Sequence, residues 1–395
     1  EENLAGIRVV KSFVNENFER QKFNKASEEL REDFTAAERL MALNSPFMNF
    51  TIYVLFVFIL YFGSYLIVSS QGTAFGVGQL SSLITYGFMM LMALMMLSFV
   101  FAMIIIAEEG ARRICEVLLA TSTINNPENP LTEVTDGSID FENVGFSYSG
   151  PEGREALSGV DLHINSGEVI GIIGGTGSAK STLVQLIPRL YDVTAGSVSV
   201  GGHNVKDYDI DTLRGAVAMV LQKNVLFSGT IKENLLWGNP DATDEEILEA
   251  ARLAQADSFV QTFPDKYETH IEQGGNNVSG GQKQRLCIAR ALLRRPKVLI
   301  LDDSTSAVDT KTDSLIRSGL KDYLPDTTKI IIAQRTSSIE ESDKIIVLDN
   351  GRVNAIGTHE ELLKDNPIYR EVYFSQNKQS VDENQSQEGE VTSHE

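Results

Sequence analysis

Three short stretches of this sequence could do chemistry on phosphate. In the first, the apolar run Glu168–Ile173 leads into Gly174-Gly175-Thr176-Gly177-Ser178-Ala179-Lys180-Ser181-Thr182 and then a helical stretch. Strand, glycine-rich loop, Lys-Ser, helix is the layout of a phosphate-binding loop. Glycines let backbone N–H groups curl around an anion, and the helix dipole adds attraction. Lys180 is placed to reach the β- and γ-phosphates of a nucleotide, and the Ser181 hydroxyl to ligate Mg²⁺. One departure stands out. Ala179 occupies the position before the lysine where glycine is usual, and its Cβ narrows the allowed backbone and crowds the phosphate side. That change weakens binding without abolishing it. Alone, the loop is also compatible with a glycine-rich turn that holds no ligand.

The second stretch is Lys297–Leu301 followed by Asp302-Asp303, an apolar strand ending in two acids. Asp302 is placed to hold Mg²⁺ directly or through water. The next position usually carries a glutamate that polarises the attacking water, and here it is Asp303. The aspartate reaches less far by about 1.5 Å, one C–C bond. General-base work needs a heavy-atom distance of about 2.6–3.2 Å, and a misplacement of about 1 Å can cost on the order of a hundredfold. Asp303 is therefore expected to be a poor catalyst.

These residues must be positioned by an α/β domain. From Gly137 on, β-branched runs alternate with helical ones; Ser138–Tyr148, Glu168–Ile173, Val298–Leu301, Lys329–Ile332 and Lys344–Leu348 read as strands. Residues 121–136, rich in Asn, Pro, Thr and Gly, read as a linker, and 376–395 as a disordered polar and acidic tail. Upstream the character changes. No Asp, Glu, Lys, Arg or His occurs from Leu40 to Ala107. Two apolar runs within it, about 46–69 and 78–106, each meet the ~20-residue length of a membrane span. A pair of buried core helices is the competing reading. The turn between them has no Lys or Arg, whereas Arg31, Arg39, Arg112 and Arg113 flank the far ends, so the turn reads as external and both flanks as cytoplasmic. The six methionines from Met89 to Met103 read as adaptable packing. Residues 1–39 place Ile7, Val10, Phe13, Phe18 and Phe23 at roughly helical spacing, which predicts one extended amphipathic helix.

The chain has 395 residues and a net charge of −20, which argues against a protein that coats nucleic acid. Cys115 and Cys287 set up neither a disulfide framework nor a zinc pattern. Glu1 begins mid-helix in pattern, with no secretory leader, as the C-terminal part of a longer polypeptide would.

The third stretch, Val278-Ser279-Gly280-Gly281-Gln282 followed by Lys283-Gln284-Arg285, brings the sequence into resemblance with one family, the ATP-binding cassette (ABC) exporters. It is nearly that family's LSGGQ signature. Gln222 matches the Q-loop glutamine, Ser306-Ala307-Val308-Asp309 the D-loop, Tyr148 the aromatic that stacks on adenine, and Glu272 the acid that faces the membrane domain. Residues 1–120 look like the C-terminal part of the transmembrane domain, with a coupling segment over about 1–39 and its coupling helix near Ser12–Glu19; residues 137–375 look like the nucleotide-binding domain. The resemblance implies ATP and Mg²⁺. ATP would be cradled by Gly174 to Thr182, with Mg²⁺ on Ser181, Gln222 and Asp302. Catalysis would fall to Asp303, Gln334 and Gln222. Val278–Gln282 and Asp309 would face an ATP across a dimer interface.

A further departure concerns the H-loop histidine, whose place after Lys329–Ile332 is taken by Gln334. Glutamine can hydrogen-bond a phosphate but cannot gain a proton near neutral pH. Ala179, Asp303 and Gln334 all fall on the P-loop side, whereas the signature is sound. The pattern resembles the degenerate-site subunit of bacterial heterodimeric multidrug exporters. It implies a second half-transporter as partner, a lipid bilayer, a small-molecule substrate, no nucleic acid, and a multi-pass place in the plasma membrane with the nucleotide-binding domain cytoplasmic. Trp237 reads as packing near the groove that receives a coupling helix. A slow homodimer, or an ATP-gated channel or membrane sensor, remains open. The two spans exclude a soluble ABC protein, and their fusion to the ATPase disfavours an importer.

Overall fold

The computed structural model describes residues 4, 6–71, 73, 75–303 and 308–376. The chain divides into two compact units, Glu1–Thr121 and Ser122–Glu395.

The first unit is wholly helical among its described residues: α1 (Ile7–Ser12), α2 (Glu16–Ala42), α3 (Asn44–Ser69) and α4 (Val77–Leu118). The single extended helix expected over 1–39 is instead broken between Ser12 and Glu16, inside the range expected for a coupling helix. Val14 adopts a left-handed φ of 52°. Its N–H donates to the Lys11 carbonyl at 3.2 Å, and the Asn15 N–H to the Val10 carbonyl at 3.0 Å. This is the paired 6→1 and 5→2 ending of a helix, with valine where glycine is usual. No glycine marks the stop, which is why helical periodicity ran through it. Helices α3 and α4 are apolar and long enough to cross a membrane, and nearly all of that surface is uncovered. They pack closely because Gly63 leaves room for Leu80, whose Cδ1 would lie 2.4 Å from an added Cβ. Phe56 and Phe88 meet edge to face at 4.7 Å. Helix α4 runs to Leu118, past the expected end near 106, and carries Glu109 with Arg112 and Arg113 as ion-paired neighbours. Its 42 residues give a length of about 63 Å, twice the hydrocarbon thickness.

The second unit opens with segment 122–136, which is strapped to the domain it precedes and is no free linker. Leu131 exchanges backbone hydrogen bonds with Asp207 and Asp209, Asn126 bonds Asp209 and Ile210, and Val134 is buried. Then follow β1 (Ile139–Phe146), β2 (Leu157–Ile164), β3 (Val169–Gly174), α5 (Lys180–Gln185), β4 (Ala195–Val200), β5 (His203–Asn204), α6 (Ile210–Ala216) and β6 (Val217–Val220). A more helical portion comes next: β7 (Gly229–Thr230), α7 (Ile231–Leu236), α8 (Asp244–Leu253), α9 (Asp257–Val260), β8 (His270–Ile271) and α10 (Gly280–Leu293). The chain closes with β9 (Val298–Asp302), α11 (Thr310–Tyr323), β10 (Thr328–Ile332), β11 (Lys344–Asp349), β12 (Arg352–Gly357), α12 (His359–Asp365) and a helix over 367–376. Of the residues expected to form a disordered tail, Gln376 is thus helical; 377–395 lie outside the described residues.

The central sheet has the order β12-β11-β3-β10-β9-β6, parallel except for β12. A four-stranded antiparallel sheet, β2-β1-β4-β5, lies beside it. Side chains alternate across the central sheet. Ile170, Ile172, Val298, Ile300, Ile330 and Ile332 enter a core shared with the antiparallel sheet. Ile173, Leu299, Leu301 and Ile331 enter a second core with α8 and α10. Both faces are therefore apolar, as parallel strands covered on both sides require.

Candidate nucleotide site

Three parallel strands end at one level and set the site. Register pairs Ile332 with Ile172 on one side and with Asp302 on the other. The loop after β3, the acids after β9 and Gln334 after β10 therefore emerge side by side.

The loop turns sharply enough to need glycine at one close approach. A Cβ on Gly174 would lie 2.2 Å from the Leu348 carbonyl oxygen. Gly177 takes φ 81° and Ala179 φ 70°. The structure thus gives the Ala179 substitution a definite cost: alanine in the left-handed region is disfavoured by about 1 kcal/mol. The Lys180 ammonium donates to the Gly174 and Gly175 carbonyls at 2.8 and 2.9 Å, and more weakly to Ser178 Oγ at 3.4 Å. Burial lowers its pKa, opposed by the charges of Asp302 and Asp303. Thr182 is buried in α5.

Ser181 Oγ donates to Asp302 Oδ1 at 3.0 Å. Asp302 is 3 % exposed and Asp303 8 %. Burial raises both carboxyl pKa values; the Ser181 bond opposes it at Asp302, and bonds from Gln222 and Gln334 oppose it at Asp303. Asp303 has φ 47°. Gln334 Nε2 donates to its Oδ2 at 2.6 Å, and Gln222 Nε2 approaches the same oxygen at 3.4 Å. The two glutamines and the acid named from sequence are thus brought into one cluster. The side-by-side hydroxyl and carboxylate of Ser181 and Asp302 are hard oxygen donors of the kind Mg²⁺ accepts together with a nucleotide's own phosphates. Among the described residues no group of three or more His, Cys, Asp or Glu could hold a metal by itself.

Tyr148 is 57 % exposed, with its hydroxyl 2.9 Å from Thr182 Oγ1. Sequence reasoning missed its neighbour Tyr191, whose ring meets it edge to face at 5.3 Å. The surrounding residues of Tyr191 carry no motif, so only the fold could reveal it.

The signature lies in the other part of the domain. Ser279 caps α10; its hydroxyl accepts from the Gln282 N–H at 3.3 Å, while Gln282 Oε1 accepts from the Ser279 N–H at 2.8 Å. Ser279 and Gly280 are exposed at this helix N-terminus, and Val278 is buried beneath them in the second core. Gly281 offers its carbonyl to Arg285. Asp309 caps α11, accepting from Thr312 N–H at 3.0 Å, and that bond lowers its pKa. Ser306 and Ala307 lie outside the described residues. Glu272 is exposed, ahead of the turn at 273–275. Trp237 stacks on Phe227 at 4.2 Å beside a groove of about 440 Å³.

Comparison with known proteins accounts for both units. The ABC transporter transmembrane region family matches residues 1–94, and the ABC transporter family matches residues 157–306. An uncharacterised ABC transporter ATP-binding protein of Mycobacterium tuberculosis is 41 % identical over 380 residues, covering 95 % of this chain and 64 % of that protein. A Staphylococcus aureus protein named for multidrug export as an ATP-binding/permease protein is 37 % identical over 378 residues, with 95 % and 64 % covered. The structure of a bacterial Atm1-family ABC exporter with ATP bound superposes with a TM-score of 0.85 at 30 % identity, covering 95 % of this chain and 65 % of the other. The chain spans about 64 % of the length of the curated relatives it matches. With part of an ABC transmembrane region followed by an ABC ATPase domain, it is homologous to the ABC exporter half-transporters.

Proposed function

We propose that this chain belongs to one half of a dimeric, ATP-driven exporter of small lipophilic molecules. In this reading its own ATP site is degenerate, and its signature completes the working site of a different partner subunit. The observation that carries the reading is the state of Asp303. Its carboxylate is nearly buried, short by one methylene, and held through one oxygen by Gln334. A general base needs hydrogen-bond reach to the attacking water; the shorter aspartate has less of it, and Gln334, a neutral amide, cannot gain a proton in its place.

The remaining residues support binding. Loop N–H groups from Gly174 to Lys180 and the Lys180 ammonium neutralise phosphate charge. Tyr148 supplies a face for the base. Ser181 and Asp302, with Gln222, would hold Mg²⁺, which would supply charge neutralisation to the nucleotide's phosphates. Within Val278–Gln282, Ser279 and Gly280 are exposed at a helix N-terminus and turn the positive end of its dipole toward a phosphate on another subunit. Bound ATP acts on the transport cycle through its differential affinity for the closed dimer. The name of the Staphylococcus aureus relative supports a drug-like substrate, and the apolar hairpin of α3 and α4, uncharged from Leu40 to Ala107, supports a membrane location, which we place in the plasma membrane with a cytoplasmic ATPase domain.

The test is steady-state ATP turnover of the full-length subunit in lipid, alone and mixed with candidate partner half-transporters. Low turnover alone and high turnover in the mixture are expected. High turnover alone would mean that Asp303 and Gln334 suffice for catalysis and would overturn the division of labour.

A further inference from the structure

The last described turn of the helix over 367–376 brings Gln376 against the segment that follows β10. Its carboxamide oxygen accepts from the Thr336 N–H at 2.9 Å and the Thr336 hydroxyl at 3.2 Å, and its Nε2 donates to the Gln334 carbonyl at 2.7 Å. The position matters because the sheet ladder stops just before it. Ala333 N–H still donates to the Ile172 carbonyl at 3.2 Å. Beyond it, the Gln334 carbonyl and the nearly buried Thr336 N–H find their partners on Gln376. One planar amide with a donor and an acceptor substitutes for the missing neighbour strand.

Gln376 is itself held firmly. Pro367 opens its helix, a residue suited to the first helical position. Asn366 Oδ1 accepts from the Tyr369 N–H at 2.9 Å, Tyr369 is fully buried, and its hydroxyl lies 2.7 Å from His359 Nδ1. The chain of contacts therefore runs from a packed C-terminal helix through Gln376 to the backbone of Gln334, and through the Gln334 side chain to Asp303 at 2.6 Å.

We infer that Gln376 is a positioning residue for Gln334, so that the C-terminal helix fixes the γ-phosphate end of this chain's nucleotide site. The inference rests on the nucleotide-site reading above. Supporting contacts of this kind hold a functional side chain within the fraction of an ångström its task requires.

The experiment uses the full-length subunit in lipid, in its transport-competent assembly, loaded with radiolabelled ATP and Mg²⁺. The rate of label release from this chain's site is followed after a chase with cold ATP. Gln376→Ala should speed release by about five- to tenfold, the scale of one net hydrogen bond. Gln376→Glu, which keeps an acceptor for Thr336 but lacks the donor at neutral pH, should fall between wild type and alanine. Ser375→Ala, on an exposed neighbour, should release as wild type does. A merely structural role is separated by Gln334→Ala: if Gln376 acts through Gln334, the double variant releases no faster than Gln334→Ala alone. Wild-type release from Gln376→Ala, or full additivity in the double variant, overturns the inference. Lys180→Ala distinguishes the two levels. If it retains labelled ATP, the nucleotide-site reading itself fails; if it loses ATP while Gln376→Ala behaves as wild type, only the role of Gln376 fails.

Discussion

The P-loop face and the signature face of the ATPase domain are built to opposite standards. On the P-loop face, two non-glycine residues, Ala179 and Asp303, sit at φ 70° and 47°, and two adjacent acids are buried against their preference for charge. On the signature face, no residue from Val278 to Leu293 has a positive φ, and Ser279 and Gln282 satisfy each other's backbone N–H groups. One face gathers side chains from three strands at a cost in backbone strain. The other presents a relaxed helix end, where any attraction for an anion would come from backbone and dipole. A face of the second kind tolerates side-chain drift, whereas a face of the first kind is where single substitutions tell.

The largest expected effect tests whether the two faces are separate. Lys180→Ala should weaken Mg²⁺-ATP binding at this chain's own site on the order of a hundredfold, read by titration with a fluorescent ATP analogue. An equal loss from Ser279→Arg would break the comparison. Next, Asp303→Glu combined with Gln334→His should raise turnover at this site by about tenfold or more, since reach and a protonatable group return together; an assay with the partner's catalytic residue inactivated isolates the effect. An unchanged rate would mean that the limiting defect lies elsewhere.

Burial of the two acids predicts a pH dependence. The folded-state pKa values of Asp302 and Asp303 lie above those of the unfolded chain, so the native state holds protons that the unfolded state has released. The contribution of these two groups to stability is then fully present below the ordinary carboxylate value, near pH 3.9, and is lost as pH rises through the raised values. Asp303→Asn should flatten that slope and raise Tm at neutral pH by about 2–4 °C per kcal/mol recovered, as scanning calorimetry of the subunit can register. The smallest effects have opposite signs on the two faces. Ala179→Gly should stabilise by up to about 1 kcal/mol by relieving a left-handed alanine, and Ser279→Ala should destabilise by about 1 kcal/mol by removing a cap. Chemical denaturation that gave the same sign for both would dissolve the contrast.

Much of this was legible in the sequence, because local signals carry it. The apolar strands ahead of Gly174 and Asp302, the glycine-rich loop and the signature residues each announce themselves within ten residues. The two long apolar helices do so through length alone. What escaped depends on non-local packing. Tyr191 and Gln376 sit in segments without motif and gain meaning only from residues far along the chain. The straps from Asn126 and Leu131 turn an apparent linker into part of the domain, through bonds to partners some eighty residues away. The break at Val14 escaped because a β-branched residue occupies a conformation that composition assigns to glycine.

The register of β10 between β3 and β9 has one more consequence, for hydrogen exchange. The Asp303 N–H donates to the Ile332 carbonyl at 3.0 Å and the Ala333 N–H to the Ile172 carbonyl at 3.2 Å, so the ladder reaches Asp303 and the residue before Gln334. Those two amides belong to the most protected layer of the fold and should exchange only when the whole domain opens. Thr336, bonded to a side chain at the end of a helix, should exchange through a local opening. The boundary between slow and fast amides then falls at Gln334, so the hinge of any local opening lies beside the cluster of Gln222, Asp303 and Gln334 and leaves the strands that carry Asp302 and Asp303 closed.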